Sequence, residues 1–521
     1  MWSAMRSDGM ARTKRGGRTL SRVRDWLVNV AWIGLVLILS ISVAPAATSL
    51  KQITVLVAVE PKSLDLSVED LNHDLFVDAQ VNDNMVGFTN DLKQDPRLAL
   101  SWRNIDKLTW EVKLRQGVKF SNGEPFNADA VLENFKYLTR DASALKTEGF
   151  EPWDRIERVN DYTVRVKTKV PNAEFLLGLF WLHIYPPGVL KSDPGSLSDR
   201  PIGTGPYKVV DWVKGERIVL EANDSYWRGR VKIDRVTFRF VPEASARVSA
   251  LLARQADLII DLPPESIGLV NKNLNTKAVS IAGLRSIDLV YDTRTPPFND
   301  VRVRQALNYA VDKQSIIKNI LGGRALIQAT PSHPLTFGHS PDVKPYPYDP
   351  QRAKRLLAQA GYPNGLKIDF HYPTGRWLKD VEVAQSVGGM LKKVGVNANL
   401  ITMEYGGFFS AWLKKQWKGM SMLGTENFID SDQVVQLFLY SKGALSFSYT
   451  DRKLDAMYEQ DQREFDVAKR RQLLHEMEAY ISKQAPWLFL YFQPQLYGIN
   501  SKLKWDPPAN ELMLFWDAEL K

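Results

Sequence analysis

The chain has 521 residues, 44% hydrophobic and 24% charged, with a formal net charge of +9 and no cysteine. One hydrophobic core stops growing at about 250–300 residues, so at least two lobes are expected, and the ordinary composition excludes a largely disordered chain. Without cysteine there is no disulfide, thiolate metal site, cysteine nucleophile or lipid-modified N-terminal cysteine.

Residues 1–46 hold seven basic and two acidic residues, which leaves +4 on the remainder. That is too weak and too dispersed for a nucleic-acid partner. Arg6, Arg12, Lys14, Arg15, Arg18, Arg22 and Arg24 precede the apolar run Trp32–Val43, and Ala44 and Ala46 in "APAATS" form a small-x-small cleavage pattern. Residues 1–46 therefore read as a signal peptide. The alternative is an uncleaved inner-membrane anchor, since Trp26–Val43 is 18 residues long with only Asn29 strongly polar. A cleaved product without an N-terminal cysteine is expected free in the periplasm of a diderm cell.

The exported part opens on a strand, "ITVLVAV" (Ile53–Val59). "TWEVKLR" alternates Trp110, Val112 and Leu114 against polar neighbours, and "YTVRVKTKV" and "VTFRFV" alternate likewise, the period of half-buried strands. "NADAVLENFKYL" reads as a helix with Asn127 as N-cap and Asp129 in its first turn. "NDVRVRQALNYAVDK" puts Val303, Ala306, Leu307, Ala310 and Val311 on one face. "DPQRAKRLLAQAGY" has Asp349 at the cap, Pro350 at the first helical position and Gly361 past the end. Val383–Val394, "WLKKQWKG" and Leu473–Ile481 also read as helix, and Pro331–Pro350, with six prolines, as an extended loop. The sum is a mixed α/β protein.

Catalytic signatures do not assemble. "HEMEA" at His475 lacks the second histidine of a zinc-hydrolase helix, and no G-x-S-x-G elbow occurs. His333 and His339 read as a solvated pair in the Pro-rich loop. No metal or cofactor is expected, and an exported hydrolase is a remote alternative. "PIGTGPYKVVDW" (Pro201–Trp212) looks at first like a phosphate loop. Yet Gly203 and Gly205 lead into strand-like sequence rather than a helix, so the glycines are expected to serve a tight turn into a hairpin.

"GTGPYKVVDW…RIVLEANDSYW" resembles a hallmark of the family 5 extracellular solute-binding proteins, the oligopeptide/dipeptide/nickel type that serve ABC importers. "SLDL" (Ser63–Leu66), "DPRLALSWRNIDKLTWEVKLRQGVKFSNGEPFNADAV", "PPFNDVRVRQALNYAVDKQSII" and "YDPQRAKRLLAQAGYPNG" are similar to further family blocks in the same order. The likeness runs from about Ile53 to about Gln495. It implies a two-lobed periplasmic-binding-protein fold of the large type with an inserted subdomain, its lobes joined by crossing strands and closing on a solute without chemistry. By this analogy 47–85, 191–284 and 496–521 form lobe I, 86–190 the inserted subdomain and 285–495 lobe II. "SIDLVYDT" and "YFQPQLYGI" would be the crossovers. The implied partners are a small organic solute, peptide-like or otherwise, and the transmembrane subunits of an ABC permease. The chain itself is expected to be monomeric.

The resemblance also points to site residues. Peptide binders of the family carry an aspartate in "G-W-x-x-D-Y-x-D-P" that pairs with the peptide ammonium; "GTENFIDSD" (Gly424–Asp432) puts Asn427 there with one gap and Phe428 without. Neither is an acid. An unpaired buried ammonium costs several kcal/mol, so this weakens a peptide reading unless Glu426 reaches in. A non-peptide cargo, an oligosaccharide or opine-like conjugate, is the alternative. Tyr405 falls where peptide binders place a ligand-facing tryptophan, and Trp412 follows on the same helical face. Arg376 and Trp377 in "YPTGRW", and Asp70 and His73 after "SLDL", complete the candidate set.

Overall fold

Two long antiparallel strands, Thr276–Tyr291 and Trp487–Asn500, run side by side and set the plan of the molecule. The structure, a computed structural model, describes residues 50–68, 75–140, 149–414, 416–426, 429–443, 445–446 and 448–521. The predicted signal peptide lies outside the described residues.

Each crossing strand is apolar at both ends, and each end enters a different core. Val279, Ile281, Tyr497 and Ile499 pack with Ile53, Val55, Val236 and Phe238. Ile287, Leu289, Leu488 and Leu490 pack with Phe370, Val387 and Met420. Two lobes are thus joined by one pair of strands, and Ser286–Tyr291 and Tyr491–Ile499 of the predicted crossovers lie inside them.

One eleven-stranded sheet passes through the crossing pair. Beyond Thr276–Tyr291 come Met420–Glu426, Leu366–Thr374 and Val396–Glu404. Beyond Trp487–Asn500 come Leu258–Ile259, Gln52–Val57, Arg235–Phe240, Arg217–Ala222 and Tyr207–Val213, while Leu326–Ile327 pairs with Trp487–Asn500 off this path. Gln52–Val57 and Arg235–Phe240 are parallel, as are Leu366–Thr374 and Val396–Glu404, pairings that require crossover connections rather than hairpins. A separate antiparallel sheet, in the order Ala99–Asp106, Thr109–Leu114, Thr163–Thr168, Trp153–Asn160, packs with the helices Ala128–Leu138 and Phe175–Trp181 around Phe126, Trp153 and Phe175.

Local chemistry explains where elements begin. Asn127 accepts from the Ala130 N–H, and Asp349 from the Arg352 N–H ahead of Pro350–Gln359. Val303, Ala306, Leu307 and Ala310 are buried on the helix Val301–Ala310; Val311 is buried too but stands just past its end.

Three expectations are corrected. The helix Tyr405–Leu413 stops before Trp417, which returns to stack on Trp412 at 5.5 Å between ring centroids, so "WLKKQWKG" is only partly helical. Gly203 and Gly205 answer to proximity rather than turn geometry: a Cβ on them would stand 2.2 Å and 2.6 Å from the Val81 carbonyl oxygen. The loop clamps the end of the helix Leu75–Val81, with Gly205 N–H donating to Val81 O and the Thr204 and Trp227 side chains donating to buried Asp83. His333 is not solvated: it is buried edge-on to Phe492 at 4.7 Å, and burial pushes its pKa down to about 4, while His339 is half-buried.

Candidate functional site

The turn after Leu366–Thr374 passes through Gly375, whose φ of +77° suits glycine, and is pinned by Arg376 and Trp377 N–H groups donating to Asp380 Oδ2 at 2.9 and 3.2 Å. Trp377 is thereby set edge-on to Tyr405, with centroids 6.2 Å apart. Tyr405 opens the helix Tyr405–Leu413, capped by Glu404, which accepts from the Gly406 and Gly407 N–H groups. Phe409 stacks on Tyr405 one turn later, and Trp412 follows within the same helix. Trp377, Tyr405, Phe409, Trp412, Gly424 and Phe438 are among the walls of a cavity of about 80 Å³. Gly424 lets the Trp377 ring pack against its strand, because a Cβ there would stand 2.4 Å from Trp377 Nε1.

Charged groups border this aromatic pocket. Arg285 and Glu426 are register partners on neighbouring strands and form an ion pair. Arg285 Nη2 also lies 2.8 Å from Glu511 Oε2 of the C-terminal segment. Burial alone would lower the Arg285 pKa; the charges of Glu426 and Glu511 outweigh it and raise it. Burial raises Glu426 despite Arg285, whereas Arg285 overcomes burial at Glu511 and lowers it.

Arg376 lies over the Tyr405 ring at 5.1 Å, and its Nε is buried without a hydrogen-bond partner among the described residues. Asp261 is exposed, and the charges of Glu511, Arg376 and Arg285 act on it. Desolvation, opposed by Arg247 and assisted by Glu511, raises its pKa. The lobes touch here: Lys379 Nζ is 3.2 Å from Glu265 Oε1.

Of the residues singled out from sequence, Arg376, Trp377, Tyr405 and Trp412 are brought together. Glu426 is adjacent, but it is buried against Arg285 and is neither solvated nor free to reach out. Asp70, His73, Asn427 and Phe428 lie outside the described residues. Sequence reasoning missed Asp261, Arg285 and Glu511. Arg285 immediately precedes the predicted crossover "SIDLVYDT"; no motif marks the other two. Elsewhere, Glu174, Asp430 and Asp432 offer carboxylate oxygens within 4.8 Å of one another. The Arg470 guanidinium already stands among them, 2.6 Å from Asp430 and 3.3 Å from Asp432, and is the cation of that cluster.

Two lobes on crossing strands, with an aromatic pocket and mixed charges where they meet, define a protein that encloses a solute. The family profile "Bacterial extracellular solute-binding proteins, family 5 Middle" matches residues 93–446. Glutathione-binding protein GsiB of Pectobacterium atrosepticum is 30% identical over 441 residues, 80% of this chain and 84% of its own. Heme-binding protein A of Haemophilus influenzae is 29% identical over 436 residues, 76% of this chain and 78% of its own. The ABC transporter-associated periplasmic binding protein DppA of Helicobacter pylori, in complex with the peptide STSA, superposes with a TM-score of 0.78 at 26% identity, covering 90% of this chain and 98% of that one. AgaA from A. tumefacien R10, with agropinic acid, shares the fold at TM-score 0.78 and 21% identity, covering 90% and 99%. The chain belongs to the family 5 bacterial extracellular solute-binding proteins and is the substrate-binding component of an ABC importer.

Proposed function

We propose that the cargo is a small zwitterionic, peptide-like solute with an apolar or aromatic group, held where Arg376 faces the Asp261–Glu511 side of the cleft. Arg376 receives the carboxylate, Asp261 the ammonium, and the aromatic pocket the side group. The observation that carries this reading is the Arg376 guanidinium, over the Tyr405 ring with a buried Nε that lacks a partner among the described residues. Glutathione-binding and peptide-bound relatives support the class of cargo. Thermal-shift screening of di- and tripeptides tests it: stabilising ligands are expected, and Arg376→Ala should weaken them about 10–100-fold, as for a lost charge-assisted pair. If no free-carboxylate peptide stabilises the protein, the reading fails.

A second reading is favoured by one observation: Glu426, next to the family's ammonium-pairing position, is taken up by Arg285. It replaces the peptide with a non-peptide conjugate of the opine or oligosaccharide type, and co-purified ligand identified by mass spectrometry separates the two. In both readings the chain performs no chemistry on its cargo. Residues 1–46 leave as a signal peptide, and the monomeric product presents its closed form to permease subunits from the periplasm. The lobe boundaries at 85/86, 190/191, 284/285 and 495/496 belong to the same proposal. The separate cores and the crossing strands support it, and no helix among the described residues is long and apolar enough to cross a membrane.

A further inference from the structure

A second charged cluster joins the lobes away from the aromatic pocket. Glu174, 4% exposed, precedes the helix Phe175–Trp181 of the four-stranded-sheet module. The opposite lobe meets it closely: Tyr458 OH donates to Glu174 Oε2 at 3.3 Å, Ala173 N–H donates to Gln462 O at 3.2 Å, and Trp110 and Phe465 are in edge contact at 5.9 Å. Facing Glu174 are Asp430 and Asp432 after strand Met420–Glu426, Asp461 and Tyr458 of helix Arg452–Asp461, and Arg470 of helix Val467–Gln484.

Arg470 Nη1 holds Asp430, and Nη2 holds Asp432 at 3.3 Å and Asp461 at 3.1 Å; Gln462 Nε2 donates to Asp432 Oδ2. Three buried carboxylates thus share one guanidinium, with Glu174 a fourth buried acid beside them, and among the described residues Oδ1 of both Asp432 and Asp461 is buried without a donor. Carboxylate oxygens of Glu174 and Asp432 lie within 4.8 Å of each other. Like charges that close in a dry site disfavour ionising both, so one of the group is driven toward its protonated form. Burial first, then the Asp432 charge, hold Glu174 well above the usual carboxylate range.

Asp430, Asp432, Asp461 and Arg470 come from one lobe and stay together if the lobes part. Glu174 alone arrives from the other side. We propose that Glu174 is a proton-operated latch: closing the lobes sets it against Asp432 and takes up one proton, so acid favours the closed form. The latch does not depend on which solute is carried. The sign follows from linkage. Glu174 has an ordinary pKa in the open form and a raised one in the closed form, so the closed form's advantage is full below the open-form value and is lost as pH rises through the closed-form value. Between those limits the closed:open ratio falls by up to about tenfold per pH unit, the slope for one proton.

Because the chain has no cysteine, Lys136→Cys and Arg452→Cys, both at exposed positions, can carry spin labels on the two sides of this contact. Distances between them are measured in the ligand-free protein from pH 8 to pH 5.5. The short-distance population is expected to grow toward acid, and in Glu174→Gln, which imitates the protonated acid, to be pH-independent. A second variant, Glu174→Asp, should keep a pH dependence with a displaced midpoint, and it serves if the glutamine variant does not fold. A pH-indifferent distribution in the parent protein overturns the latch, as does an unchanged pH response in Glu174→Gln.

Discussion

Arg285 and Glu511, 226 residues apart in sequence, form a part-buried ion pair that ties a crossing strand to the C-terminal segment, with Nη2 2.8 Å from Oε2. Glu426 shares the same guanidinium. Arg285→Met would leave buried Glu426 without its cation, a loss of about 3–5 kcal/mol for a broken buried pair. Urea unfolding should show it, and the double variant Arg285→Met with Glu511→Met should recover part of the loss. A change below about 1 kcal/mol would mean that solvent screens the group as it does a surface pair.

Tyr405 and Trp412 line one cavity but should respond differently to truncation. Trp412 is 4% exposed and stacks on Trp417 and Phe438, so Trp412→Ala should cost about 3–5 kcal/mol. Tyr405 is only half-buried and packs on Phe409 and Trp377. Tyr405→Ala should cost about 1 kcal/mol in stability, while removing most of the thermal shift given by stabilising peptides. Melting curves with and without ligand separate the two effects. Equal losses of stability would show that Tyr405 is part of the core.

The capped helices were legible in the sequence because each follows from a local rule, and chain length alone called for at least two lobes, whereas the crossing strands came only from the likeness to the family. Val303, Ala306 and Leu307 are buried because they recur at helical spacing, and Asn127 caps because its side chain meets the first free N–H groups. The aromatic half of the site was legible in part, since Tyr405 and Trp412 share a helix face. The charged half was not: Asp261, Arg285 and Glu511 meet only through tertiary packing. Asp261 and Glu511 both adopt left-handed backbone, at φ 52° and 60°, where no sequence signal for glycine or asparagine stands. The end of the helix at Leu413 also escaped notice, because it is set by Trp417 packing back on Trp412 rather than by a breaker residue.

Gly205→Ala and Gly215→Ala test whether close approach or backbone shape governs the two glycines. Gly205 would bring its new Cβ to 2.6 Å from Val81 backbone, which cannot yield as a flexible side chain can. Gly215 has a φ of +75° but open space around it. The first substitution is expected to cost more than about 3 kcal/mol, by overpacking against fixed backbone, and the second about 1–2 kcal/mol, the left-handed penalty of an L-residue. Chemical denaturation ranks them, and the reverse order would return the "GTG" loop to a turn.

Glu478 gives the fold a pH dependence separate from that of lobe closure. Its carboxylate lies under the Pro-rich loop, 3% exposed, and Oε2 accepts from the Ser340 N–H at 2.9 Å. That bond favours the ionised form, yet burial prevails and pushes the pKa up to about 7 from an ordinary 4.5. The folded state therefore binds the proton more tightly than the unfolded chain does. The resulting contribution to stability is complete below about pH 4.5 and is lost as pH rises through about 7. A displacement of this size is worth about 3 kcal/mol. Glu478→Gln keeps an acceptor for Ser340 and cannot ionise. It should match the parent protein near pH 4.5 and exceed it by up to about 3 kcal/mol at pH 8, read as the difference between two unfolding series so that other titrating groups cancel. A difference that stays constant with pH would place an ionised Glu478 in the folded protein throughout.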